Sequence, residues 1–403
     1  MKGRKMAKNP RPVQATRPQP LDSAVPDSRG PLSERLRNSF QDTAARAYRG
    51  ENSGLLLLVM VIVVVVFAIL LRETTFLSWS NLVSIVETTT AVTVMAVPTV
   101  FVICSGEIDL SFNAVVPVSA YIAAVFLSHN IPLPVAVITA LAFGVGVGLI
   151  NGLVTVIFRI PSFVVTLGML GILQGYSQVI TNSATITVPN QTFLKIFGEG
   201  SAGPVNVLVI WAVAAVAVGG FILAYTPTGR HVLATGANPA AARFSGIKTG
   251  RIKVIVLMFS GLGGALGGLL YLGQYTSATY TMGSSDLLNV LAAVIVGGTV
   301  LAGGKGSVVG AFIGSLLIGL IGNALIILGL ATPEQLMVRG LIIVLAVILS
   351  SQALGRGRDR TPAFLRRLGL VAAAPAAGGA ALPDAGPAAA RQPGDSPAKE
   401  QGE

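Results

Sequence analysis

Residues 226–253 read TPTGRHVLATGANPAAARFSGIKTGRIK, the one long polar, basic connection in a chain that otherwise alternates apolar runs with short loops. Within it, Asn238 can cap a first helical turn through its side-chain oxygen, and Pro239 suits the first helical position, where no N–H is needed. Ala240, Ala241, Ala242, Arg243 and Phe244 are compatible with a helix, Ser245 follows, and Gly246 can take the left-handed conformation that ends one. The pattern predicts a short, soluble, basic helix from Asn238 to Gly246. A helix of that kind between two membrane spans invites a partner on its own side of the membrane.

Outward from this stretch lie ten apolar segments: 54–71, 82–104, 111–128, 133–157, 162–181, 205–225, 252–273, 287–302, 307–329 and 336–352. A spanning helix needs about 20 apolar residues, with a range of about 17–25. Most segments qualify, and the third and eighth are short or broken by glycine. The 403-residue chain is 52% hydrophobic and only 11% charged. A soluble domain carries about 25% charged residues, so a chain this poor in charge cannot cover a water-facing surface. The expected fold is an all-α polytopic membrane protein of about ten transmembrane helices. The segments are too long and too uniformly apolar for the strands of a membrane barrel, which alternate over about 10 residues.

The net charge of +11 would suit nucleic acid, but most of it lies in the tails and in the opening loop. A basic cytoplasmic face accounts for it, and no nucleic-acid partner is expected. With the N-terminus placed in the cytoplasm, 25 of the 28 Lys and Arg fall on that side, and 7 against 3 when the tails are left out. The positive-inside rule therefore places 226–253, and both termini, in the cytoplasm. Residues 1–53 are rich in Arg, Pro and Ala, and the tail from 353 to 403 dissolves into Ala, Pro and Gly. Both read as disordered, with a weak amphipathic pattern at 32–49. The transmembrane domain is 54–352.

Two halves resemble each other. Gly106-Glu-Ile-Asp109-Leu110 matches Gly283-Ser-Ser-Asp286-Leu287, and the runs around Asn151 and Asn323 match at offsets of 171 and 172 residues. This relates spans 2–5 to spans 7–10, a shift of five spans, so the halves would have opposite orientation. Inverted repeats are a transporter architecture, with the pathway between the halves. Small residues recur four apart at Gly144/Gly148/Gly152, Gly263/Gly267, Gly264/Gly268 and Gly310/Gly314. They let helix backbones approach closely, and packing within one subunit is the plainer use of them than a dimer seam.

Polar residues at membrane depth or at its edge are few, namely Glu87, Glu107, Asp109, Asn151, Gln174, Gln178, Asp286, Asn289 and Asn323, and of these Asp109, Asn151, Asp286, Asn289 and Asn323 mark the candidate pathway. A carboxylate in the membrane interior costs about 3 kcal/mol or more, so it faces protein, water or a solute path. Asp109 also fits a helix cap, and the two asparagines can bond neighbouring helices as well as a solute. AGGKGS at 302–307 superficially suggests a phosphate loop. The full pattern requires glycine at Thr299 and Ser or Thr at Gly306, so it fails twice. Cys104 stands alone in an apolar run, the two histidines are far apart, and no catalytic constellation or metal spacing is visible. No cofactor is expected in this chain, and any active transport must draw its energy from elsewhere.

Four stretches in order carry a family resemblance: SGEIDLSFNAV (105–115), NGLVTVIFRIPSFVVTLGMLGI (151–172), TGRHVLATGANPAAARFSGIK (228–248) and SSDLLNVLAAVIVGGTVLAGGKGSVVGAFIGSLLIG (284–319). Over about residues 55–350 the chain resembles the permease subunits of bacterial ATP-binding-cassette importers, of the ribose/xylose/galactoside (branched-chain) permease family. Glu107 departs from it, where the family usually has glycine, and so does SSD at 284–286. The resemblance implies a multi-pass protein of the inner membrane. It implies a second permease subunit (a homodimer), a cytoplasmic ATPase that binds ATP and Mg, and a periplasmic or lipid-anchored sugar-binding protein. Asn238, Pro239, Ala241, Ala242, Arg243, Phe244, Ser245 and Gly246 would form the coupling helix that docks on the ATPase. The alternatives are a permease for a polyol, a nucleoside or a signal molecule, and a secondary transporter, which would want acidic or His residues deep in the membrane.

Overall fold

The computed structural model describes residues 53–203 and 205–355. Apart from their innermost residues, the two tails, with the 32–49 pattern, lie outside the described residues. Each of the ten apolar runs holds a helix. They are α1 (Ser53–Leu70), α2 (Trp79–Cys104), α3 (Phe112–Ser128), α4 (Leu133–Ile157), α5 (Ser162–Thr181), α7 (Val207–Tyr225), α10 (Thr249–Tyr275), α11 (Asp286–Val296), α12 (Val308–Ile327) and α13 (Thr332–Gly355). Six of these, α2, α4, α5, α7, α10 and α12, are long and apolar enough to cross a membrane. Three short helices lie in connections: α6 (Gln191–Phe197), α8 (Pro227–Ala237) and α9 (Pro239–Phe244). Among the described residues, the strands are four two-residue pieces, β1 (Ile186–Thr187), β2 (Ser201–Ala202), β3 (Val205–Asn206) and β4 (Ser277–Ala278). They form two antiparallel ladders, β1 with β4 and β2 with β3.

The eighth run corrects the expected bounds. It was read as 287–302, but α11 ends at Val296 after 11 residues. At 1.5 Å per residue that is about 16 Å, half the hydrocarbon thickness of about 30 Å. The cause is a backbone contact. A Cβ on Gly297 would lie 2.5 Å from the Gly310 carbonyl carbon, and one on Gly310 would lie 2.0 Å from the Gly297 oxygen. The chain there presses against the start of α12, and Gly298 turns away at φ +88°.

α10 is the central helix, packed on α2, α3 and α4. Its composition explains why. Gly261 sits against the Gly144 carbonyl of α4, Gly264 and Gly268 against the Phe112 and Val116 carbonyls of α3, and Gly263 and Gly267 against Pro98 and Met95 of α2. In each case a methyl group would come within 3 Å of the neighbour. Gly144, Gly148 and Gly152 return the contact from α4, while Gly314 meets the Ala293 carbonyl of α11. All four small-residue stripes therefore meet helices of the same chain. With no hydrophobic drive between helices in lipid, such close backbone approach supplies the van der Waals contact that holds them.

Candidate functional site

The 226–253 connection begins with a reversal. Thr226 caps α8, its hydroxyl accepting from the Gly229 N–H at 3.2 Å. The main chain then breaks for one residue. Asn238 closes α8, its N–H donating to the Ala234 carbonyl at 3.2 Å. The same residue opens α9, with Oδ1 accepting from the N–H groups of Ala240 and Ala241 at 3.1 and 3.0 Å. Pro239 stands first in α9, and Gly246 leaves it at φ +84°. Ala242 turns inward and is buried, a packing contact of this chain. Asn238, Pro239, Ala241, Arg243, Ser245 and Gly246 are exposed, and Phe244 is 94% exposed. An aromatic ring left uncovered on a capped helix is the informative kind of exposure.

α9 stands on a joint built from glycine. A Cβ on Gly236, at the end of α8, would lie 1.9 Å from the Cys104 oxygen. That oxygen accepts from the Gly304 N–H at 2.9 Å. Gly303 packs on the Gly106 backbone and on the Gly236 oxygen, and Gly304 packs on Ala237. The loop that superficially suggested a phosphate site is thus a backbone wedge between α8 and the loop after α2. Beside it, Lys253 pairs with Glu107. A cavity of about 700 Å³ opens there, lined by Glu107, Thr155, Arg159, Arg243 and Lys253 among others.

The five candidate pathway residues divide into two groups. Asp109 and Asn151 meet at Ser111. Asp109 Oδ1 accepts from the Ser111 N–H at 2.8 Å and the Ser111 hydroxyl at 2.7 Å, and Asn151 Nδ2 donates to Ser111 Oγ at 2.8 Å. Both are buried, and the cluster ties the start of α3 to the last third of α4. Asp286, Asn289 and Asn323 line a separate cavity of about 390 Å³ between α2, α10, α11, α12 and α13, at the opposite end of the bundle from α9. Asn323 is spent on α2: Asn81 Nδ2 donates to Asn323 Oδ1 at 3.0 Å, and Asn323 Nδ2 donates back to Asn81 Oδ1 at 2.9 Å. Asn289 Nδ2 donates to Asp286 Oδ1 at 3.1 Å.

Several residues that line this cavity were not singled out from the sequence: Ser84, Thr88, Tyr271, Tyr275 and Arg339. Arg339 is one of the three Lys and Arg that the charge count assigns to the outer side, yet it lines this cavity, Nη2 donating to Gln335 Oε1 at 3.4 Å. Gly322 on α12 makes room for it, since a Cβ there would lie 3.4 Å from Nη2. Tyr271 and Tyr275, four apart, stack with centroids 5.6 Å apart at 17°. That spacing and the isolated arginine were the available signals. Among the described residues, no group of His, Cys, Asp and Glu is placed to hold a metal ion.

The family profile described as "Branched-chain amino acid transport system / permease component" matches residues 81–347. The chain belongs to this family. It is an ATP-binding-cassette permease component, a multi-pass membrane protein that serves transport. Among its relatives is the ribose import permease protein of Escherichia coli strain K12, 34% identical over 280 residues, which are 69% of this chain and 87% of the relative. The ribose import permease protein of Haemophilus influenzae is 36% identical over 276 residues, 68% and 85% of the two chains. The galactose/methyl galactoside import permease protein of the same organism is 29% identical over 301 residues, 70% and 90%. No solved structure matches the chain.

Proposed function

We propose that this chain is the membrane-spanning subunit of an ATP-binding-cassette importer that carries a monosaccharide across the inner membrane, with both termini in the cytoplasm. The observation that carries the coupling half of this reading is α9: a doubly capped helix, seated by Ala242, that holds Phe244 94% exposed. It offers an aromatic anchor to a groove on a cytoplasmic ATPase, which would bind the ATP and Mg. Aromatic anchors seated in pockets dominate interface energies. The sugar half rests on the named cargoes of the relatives, ribose and galactose among them. A binding protein outside the membrane would deliver the sugar, and a second copy of the permease would complete the assembly.

Ten spans in two inverted halves fit this reading. α10 packs on α3 and α4, while α2 packs on α11 and α12. These are the pairings an exchange of spans 2–5 with 7–10 requires. Gly148 lies against Leu257 of α10, and its counterpart Gly319 lies against Thr89 of α2. Rocking of one half against the other would then open each side in turn.

Phe244→Ala tests the coupling. The side chain touches little of its own chain, so insertion and stability should stay within about 0.5 kcal/mol of wild type. Co-purification with the ATPase and uptake of radiolabelled ribose, galactose and arabinose should fall by about tenfold or more, the loss of an interface anchor worth roughly 2 kcal/mol. Wild-type uptake in the variant would rule out α9 as the docking element. A panel in which a polyol, a nucleoside or an amino acid is taken up instead of every sugar would reassign the cargo.

A further inference from the structure

We propose that the slot between the end of α4 and the start of α10, beside α9, holds one anionic phospholipid of the bilayer by its phosphate head and upper chain. Such a lipid needs only that the chain spans the membrane, whichever solute it carries. The slot encloses about 680 Å³ and has two kinds of wall. One is apolar, formed by Leu153 and Val156 of α4, Val254 and Ile255 of α10, and Ile247 of the link before α10. The other is basic: Arg243, Lys248 and Arg251 line the same space, all three are exposed, and no carboxylate lines it. Close packing behind the slot sets its shape. A Cβ on Gly152 would lie 2.7 Å from the Val254 Cα, and one on Gly250 would lie 3.1 Å from Val156 Cγ1. The two helices therefore meet here, and the apolar side chains beside the contact stay open, with Leu153 42% and Ile255 47% exposed.

The order of these residues along α10 specifies the occupant. Lys248, Arg251 and Ile255 are spaced three and four apart, so they follow one another down a single face. From Arg251 to Ile255 the helix rises about 6 Å into the apolar span. A molecule laid along that face meets positive charge first and hydrocarbon one turn deeper, which is the profile of an anionic amphiphile. The charges are also free to answer it. Among the described residues, the ion pairs are Arg72 with Glu73 and Lys253 with Glu107, so no carboxylate neutralises Arg243, Lys248 or Arg251. Basic pockets between spanning helices suit phosphate head groups, with guanidinium and ammonium groups donating to the phosphate oxygens. A free anion would use the charges and leave the apolar wall uncovered. A soluble protein could meet the charges on α9 and the link, but the walls at Leu153 and Ile255 lie inside candidate membrane spans, where a bilayer lipid is already at hand.

The test uses the purified full-length chain in detergent, given an equimolar mixture of phosphatidylglycerol and phosphatidylcholine with the same acyl chains. Native mass spectrometry counts the lipids each chain retains. The wild-type chain should keep phosphatidylglycerol in preference to phosphatidylcholine. Each basic residue near an anionic head is worth about a fivefold factor, so Lys248→Gln with Arg251→Gln should lower that retention by about tenfold or more. Both side chains are exposed, so the fold should be unaffected. Arg366→Gln with Arg367→Gln removes the same charge from the C-terminal tail and should leave most of the retention in place. Ile255→Trp keeps every charge and fills the slot, and it should lower retention at an unchanged melting point. Inorganic phosphate, compared with chloride at the same ionic strength, should not displace the lipid. Four results overturn the proposal: equal retention of the two lipids, equal losses from the two paired charge variants, unchanged retention in Ile255→Trp, or displacement by phosphate, which would mark a site for a free anion.

Discussion

Replacing Lys253 by methionine removes the charge that answers Glu107 while keeping most of the apolar stem. The two partners are not equally buried: the Glu107 side chain is 7% exposed and that of Lys253 is 31% exposed. Stranding a buried carboxylate costs about 3–5 kcal/mol. Here a cavity of about 700 Å³ with Arg159 and Arg243 on its wall lies alongside. Water and those cations would recover part of the loss, leaving about 2–3 kcal/mol. The reverse change, Glu107→Gln, strands only an ammonium that can swing toward water, at a cost of about 0–1 kcal/mol. In thermal unfolding of the purified protein, at roughly 2 °C per kcal/mol, Lys253→Met should lower the midpoint by about 4–6 °C. Glu107→Gln should lower it by no more than about 2 °C. The double variant should be less harmed than Lys253→Met alone, because the stranded charge is gone. Equal losses from the two single changes, or a double variant that simply adds them, would refute the burial asymmetry on which the estimate is built.

Two further changes probe the frame. Asn323→Leu should cost about 1–2 kcal/mol by leaving the Asn81 amide half-paired, and Asn81→Leu with Asn323→Leu should restore most of it; a double variant as unstable as the single in denaturant titration would show that packing, not the reciprocal bond, holds α2 to α12. Gly236→Ala should gain about 1 kcal/mol of helix propensity and lose more than that through a methyl forced to 1.9 Å from the Cys104 oxygen. A melting point at or above wild type would mean the joint has slack.

Local chemistry made α9 readable. Asn238, Pro239 and Gly246 each do one stereochemical job that any nearby structure would leave unchanged, and the helix runs from Pro239 to Phe244 as their order requires. Length and hydropathy likewise placed ten apolar runs. What they could not place was the end of α11, because Val300 and Leu301 are as apolar as the helix before them. A contact between Gly297 and Gly310, distant in the chain, decides it. The cavity was harder still. Asp286, Asn289 and Asn323 were found because they are polar in apolar runs. That Asp109 and Asn151 close on Ser111 while the other three share a cavity is set by which helices meet, and one sequence does not encode that in any local pattern. Arg339 was misplaced for a related reason: near a span boundary, a charge that reaches lipid headgroups and one that turns into the bundle look the same until Gly322 is seen to leave it room.

The joint at Cys104, Gly236 and Gly304 has a mechanical consequence. Side chains absorb small displacements by changing rotamer, whereas a main-chain atom seated directly on another main chain has no such freedom. The three segments that meet there come from α2, from α8 and from the loop before α12, so they belong to both halves of the chain and to the connection between them. A displacement entering through α9 would be shared by both halves at once, with almost no lost motion, as in a gear train cut without backlash. The stiffness lies in the absence of side chains, and adding even one methyl group would exchange transmitted movement for local distortion.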